Sequence, residues 1–137
     1  MARLRRYRIF ISHAWEYSAD YFRVVRFLDK APNFSWENLS VPEHDPLSMQ
    51  NLNYELRNQM RPADAFIIIA GMYVNHSDSI DFEMNFARRI GRPIIALWPR
   101  GSIRMPLAIR RAAAAFVGWN GASIVRAIRT YALPSGN

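Results

Sequence analysis

The chain has 137 residues, half of them hydrophobic, enough for one domain with a sizeable core. It has no cysteine, which excludes a disulfide framework and thiolate metal sites, and His13, His44 and His76 lack ligand spacing, so no metal site is expected. The net charge is +7, no apolar run reaches the roughly 20 residues of a bilayer span, and no cleavable leader pattern follows the first arginines, so a cytoplasmic, membrane-free protein is expected.

Arg3, Arg5, Arg6 and Arg8 precede the first apolar run. Their charge suits a polyanion, but no nucleic-acid motif and no interleaved aromatics accompany them. Residues 1–6 are therefore expected to form a solvated basic arm, and nucleic acid is not an expected partner. Residues 7–12 are short, β-branched and aromatic, which predicts a buried first strand ending in a polar turn at residues 13–16. Tyr21, Val24, Val25 and Leu28 recur at helical spacing, and Pro32 with Asn33 closes that helix. Residues 34–41 alternate apolar and polar like a strand at a sheet edge, with a loop over residues 42–46.

Met49, Leu52, Leu56 and Met60 mark a second helix, stopped by Pro62. Residues 65–70 are continuously apolar, as in a strand covered on both faces. Residues 71–76 read as the loop before a helix capped by Ser77, Asp78 or Ser79 and ended by Gly91 and Pro93. At about 100° per residue, Ile80, Phe82, Met84, Phe86, Ala87 and Ile90 cover one arc of it, and Asp81, Asn85, Arg88 and Arg89 the other.

Glu83 falls inside the apolar arc, so it is expected to point inward. A carboxylate there costs several kcal/mol unless it is paired, hydrogen-bonded or neutralised. Two structural readings stand beside a functional one: a buried ion pair with an arginine, a bond back to the first amides of its own helix, or a position facing a pocket. Residues 93–98 form another buried strand, a short helix spans residues 106–112, and residues 115–117 make a last strand. A helix over residues 122–131 and a loose tail at residues 134–137 complete a single domain over residues 1–137.

Five strands alternating with helices predict a three-layer α/β fold with a parallel, flavodoxin-like sheet of order 2-1-3-4-5. In that order a crevice opens at the carboxyl edge, beside residues 12–16 and 71–77. Ser12, His13, Trp15, Asp45, Ser77, Phe82 and Glu83 are the candidates there. Trp15 either stacks on a base or packs against the Glu83 helix, and His13 is equally a capping residue. Phe82 is more a core side chain than a pocket one, and Asp45 alternatively starts a turn with Pro46. The glycines of a phosphate loop or dinucleotide fingerprint are missing, since none occurs before Gly71.

The opening Phe10-Ile11-Ser12-His13, the strand Ile67-Ile68-Ile69, and Tyr73, Ser77, Glu83 and Ala87 with Glu six residues after Ser resemble bacterial TIR-like domains of the Thoeris antiphage type. The resemblance covers about the first hundred residues. It implies an enzyme in which Glu83 acts in breaking the nicotinamide–ribose bond of NAD. The fragment then becomes a linear, cyclic or conjugated ADP-ribose signal for a partner effector. NAD is then a substrate, and no cofactor is implied.

Where many TIR domains carry Trp-Cys between the Ser and the Glu, this chain has Ser79 and Ile80, and residues 42–47 replace the usual Asp-x-x-Pro-Gly loop. These departures leave open homo-oligomerisation through TIR–TIR contacts and a non-catalytic interaction module as the alternative function.

Overall fold

The computed structural model describes residues 5–12, 18–40, 56–101 and 104–134. The calls on His13, Trp15 and Asp45 lie outside these residues. In chain order the elements are β1 (Arg6–Ile11), α1 (Ser18–Lys30), β2 (Ser35–Asn38), β3 (Ala65–Ile69), a 3-10 turn (Ala70–Met72), α2 (Tyr73–Arg89), β4 (Ile94–Leu97), α3 (Leu107–Ala112), β5 (Ala115–Val117) and α4 (Gly121–Tyr131). Residues 56–60 are also helical.

The five strands form one parallel sheet of order β2-β1-β3-β4-β5, as the alternation predicts. Strands β3 and β4 are buried throughout, which their unbroken apolar runs require in a sheet covered on both faces. The edge strand β2 is half-buried at every residue, with Trp36 Nε1–H donating to Asp29 of α1 at 2.8 Å. Helix α1 packs beside α4, and α2 beside α3. The core centres on Ile9, Ile11, Phe66, Ile67 and Ile95, and Phe10 meets Phe66 with ring centroids 5.5 Å apart. Truncating Ile67 to Ala would cost about 2–5 kcal/mol through lost burial and a cavity.

Two expectations are corrected. Residues 71–76 are wound rather than looped: the 3-10 turn buries Met72, and α2 already starts at Tyr73, with a non-helical residue at His76 (φ −135°, ψ 35°) before the helix resumes at Ser77. Arg5 and Arg6 are not a free arm, because Arg6 opens β1 and Arg5 donates to the Leu133 carbonyl and lies 3.8 Å from Asp64.

The far end of α2 closes as its glycine predicts. Gly91 adopts φ +72°, its N–H reaches the Arg88 carbonyl at 3.1 Å, and Arg92 N–H reaches that of Ala87 at 2.8 Å. This is the Schellman pattern of a helix C-terminus, and it satisfies carbonyls that the end of α2 would otherwise leave open.

Candidate active site

The carboxyl ends of the central strands are stitched together by a serine. Ser12 is fully buried; its N–H donates to the Ile67 carbonyl at 2.8 Å, and its Oγ accepts from Ile69 N–H at 2.9 Å. That leaves the hydroxyl proton for one further acceptor. Beyond β4, Arg100 pairs with Asp20 of α1 at 3.2 Å and lies over the Trp119 ring, so the segments leaving β4 and β5 meet α1 at this edge.

Leaving β3, the chain winds through the 3-10 turn into α2. Tyr73 Oη–H donates to Asp81 Oδ1 at 3.0 Å, tying the turn before His76 to the helix after it. Asp81, placed by the helical arc on the outer face, is therefore half-buried and engaged. Burial first, then the bond to Asp81 and the charges of Asp81 and Asp78, raise the Tyr73 hydroxyl above the usual phenolic range.

Six residues past Ser77, Glu83 faces inward as its helical phase predicts, and is 4% exposed. Ile80, Met84 and Ala87 around it are buried as well. Its Oε2 has no hydrogen-bond partner and its carboxyl no ion pair among the described residues. Two guanidiniums lie over aromatic rings of the same helix, Arg57 over Phe82 at 5.4 Å and Arg61 over Phe86 at 5.7 Å. Burial alone pushes the Glu83 carboxyl from its usual 4.5 up to about 8. Such an acid is neutral in most molecules at pH 7 and ionises readily only if a positive charge arrives beside it.

Of the other candidates, Ser77 and Phe82 are half-buried, Phe82 packing against the core as the apolar arc suggests. The structure thus brings Ser77, Phe82 and Glu83 onto one helix and Ser12 to the end of the strand next to β3. Among the described residues no three His, Asp or Glu side chains converge as a metal site, and no helix is long and apolar enough to cross a membrane.

Sequence reasoning missed the Tyr73–Asp81 bond, because a residue pair eight apart stands about 12 Å apart along the axis of an unbroken helix, beyond the reach of one hydrogen bond. The break at His76 brings them together, and its only local signal is the run Asn75-His76-Ser77-Asp78 of poor helix formers.

No curated protein matches the chain in sequence. Among solved structures it is similar to a 2-deoxyribosyltransferase from Bacillus psychrosaccharolyticus, with a TM-score of 0.60 at 18% identity over 94% of this chain and 99% of that one. It is also similar to the Clostridium botulinum CMP N-glycosidase BcmB, with a TM-score of 0.55 at 20% identity over 90% and 99% of the two chains. Both likenesses are of fold. The model of the Thoeris protein ThsB TIR-like domain matches residues 10–104, which takes in the end of β1, α1, β2, β3, all of α2 with Glu83, and β4, and the chain therefore belongs to this family of antiphage defence proteins.

Proposed function

We propose that this chain is an enzyme that cleaves the bond between nicotinamide and ribose in NAD and turns the remainder into a nucleotide signal. The observation that carries the reading is the buried carboxyl of Glu83 with an oxygen left without a partner among the described residues. Stability alone gives no reason for an acid there. The family match supports the reading, and so do the names of the two similar structures, a deoxyribosyltransferase and an N-glycosidase, since both describe chemistry at a sugar–base bond.

The chemistry follows from charge. As the C1′–N bond lengthens, its electron pair leaves with nicotinamide, cancelling the pyridinium charge, and positive charge grows on the ribose. Glu83, ionised by the arriving cation, stabilises that oxocarbenium-like centre in a site of low dielectric, where a fixed charge acts strongly. Nicotinamide departs neutral, so no strong general acid is required. Water attacking C1′ and losing a proton to solvent gives ADP-ribose, while a nucleophile within the same molecule gives a cyclic product. Ser12 and Ser77 would hold the substrate's hydroxyls, joined by His13, Trp15 and Asp45, with Phe82 beside the acid. The product would act on a partner effector, and copies of the chain would meet through TIR–TIR contacts.

The test is nicotinamide release by purified protein, alone and with phage-infected lysate, against Glu83→Gln. Loss of release in the variant is expected, and equal release by both overturns the reading. A second reading, a non-catalytic interaction module, draws on the Trp98–Phe116 pair, 45% and 39% exposed with centroids 5.6 Å apart. Light scattering after size exclusion tests it, and a strict monomer counts against it.

A further inference from the structure

Away from Glu83, α1 and α4 enclose an open groove of about 880 Å³. Arg23, Arg26 and Lys30 project along one side at helical spacing, Arg126 and Arg129 along the other, and Phe27 and Val125 line the seam between them. No acidic residue lines it. The five basic side chains are all exposed. Arg129 is occupied, donating to the Asn33 carbonyl at 2.7 Å and lying over the Phe34 ring. Arg23, Arg26, Lys30 and Arg126 form no side-chain hydrogen bond or ion pair among the described residues.

We infer that this groove docks an acidic amphipathic segment of a partner protein, with apolar side chains on the Phe27–Val125 seam and carboxylates on the two basic rows. Charge selects the occupant first: four unpaired cations beside each other repel one another and are relieved by anions. A second copy of a chain with net charge +7 is a poor choice. A mononucleotide would need buried, convergent polar groups to hold it, whereas every cation here stands on the rim. A nucleic-acid strand would need a row of rings to stack its bases, and Phe27 is the one aromatic side chain in the lining.

An apolar centre with a charged rim is the anatomy of a protein interface. The rows also match a short segment in length, because Arg23 to Lys30 spans about 10 Å of helix, or two turns. Gly121 holds the rows close: a Cβ there would meet the Phe27 carbonyl oxygen at 3.2 Å.

Fluorescence anisotropy of the full chain tests this with four labelled probes. They are a peptide of about 14 residues with leucines along one helical face and glutamates elsewhere, its scrambled version, polyglutamate, and a single-stranded oligonucleotide of equal charge. The patterned peptide should bind about fivefold tighter than any other probe, and less tightly as salt rises. Arg23→Glu with Arg126→Glu should weaken it about tenfold at an unchanged melting temperature, since both side chains are exposed and unpaired. Equal binding of scrambled peptide or polyglutamate, tighter binding of the oligonucleotide, no saturable binding, or indifference to the charge reversal would each overturn the inference. Glu83→Gln should bind the peptide as the native chain does, so the result stands apart from the catalytic reading.

Discussion

Among the described residues two carboxylates are nearly inaccessible, Asp64 at 6% and Glu83 at 4%, and their surroundings are opposite. Asp64 precedes β3 at the amino edge of the sheet. Arg8 N–H donates to its Oδ2 at 2.8 Å, the Arg8 guanidinium reaches Oδ1 at 3.3 Å, and Arg5 lies 3.8 Å away. Its own backbone joins β1 and the C-terminal segment, through Arg8 and Leu133. Glu83 sits on α2 with an oxygen that nothing among the described residues satisfies. A buried acid that stabilises a fold carries its counter-charges with it, and one that does not is held in place at the expense of stability.

The largest way to break this contrast is Glu83→Gln read as stability against pH. The folded carboxyl at about 8 lies above its unfolded value near 4.5, so the folded state holds the proton more tightly. Native stability is then full below about pH 4.5 and falls as pH rises, the loss being complete above about pH 8. At about 1.36 kcal/mol per pK this reaches about 5 kcal/mol, with about 3 kcal/mol already lost at pH 7. Glutamine does not ionise, so the variant should melt above the native protein at pH 8 and match it near pH 4. A native protein whose melting temperature does not fall over that interval would show that Glu83 has a counter-charge.

The same substitution should cut nicotinamide release by about 10²–10³, or about 3–4 kcal/mol of barrier, on the scale of removing one charge-stabilising group. Ionised Glu83 is the active form, so native kcat/KM should rise with pH through a midpoint near 8 and level off above it. A profile flat between pH 5 and 9 would detach the reaction from this acid. Asp64→Asn sharpens the contrast with the opposite sign: it leaves the Arg5 and Arg8 guanidiniums without their acid and should lower stability by about 1–3 kcal/mol at pH 7 in thermal melts, with nicotinamide release unchanged in the folded fraction. Partial exposure of both arginines keeps the figure at that level.

How much of this was legible in the sequence depends on how far apart the interacting residues stand. Ile67-Ile68-Ile69 and Ile94-Ile95 announce covered strands by their own composition, and the alternation with helices then leaves the 2-1-3-4-5 sheet as the natural arrangement. The inward direction of Glu83 is likewise local, a matter of 100° per residue from Ile80 and Ala87. Its lack of a partner is not local, because it depends on which guanidiniums the packing leaves nearby, and Arg57 and Arg61 turn to Phe82 and Phe86. Asp64 escaped notice for the same reason: Arg8 lies 56 residues away and reads in isolation as one of a cluster of N-terminal arginines. The groove joins two helices from opposite ends of the chain, so its charge rows appear only when α1 and α4 lie together.

A third acid gives the smallest and most discriminating test. Asp81 is half-buried, and the partner it has is neither a cation nor a backbone amide but the Tyr73 hydroxyl, across the break at His76. It thus stands between Asp64, which is paired, and Glu83, which is not. Tyr73→Phe removes that one bond and should cost about 0.5–1.5 kcal/mol of stability. If the bond also fixes the turn from which the Glu83 helix departs, kcat should fall a few-fold while the midpoint of the pH profile stays where Glu83 sets it, because no charge near Glu83 has changed. A shifted midpoint would instead mean that Asp81, released from the phenol, acts on Glu83 electrostatically, and the two acids would then have to be treated as one titrating pair.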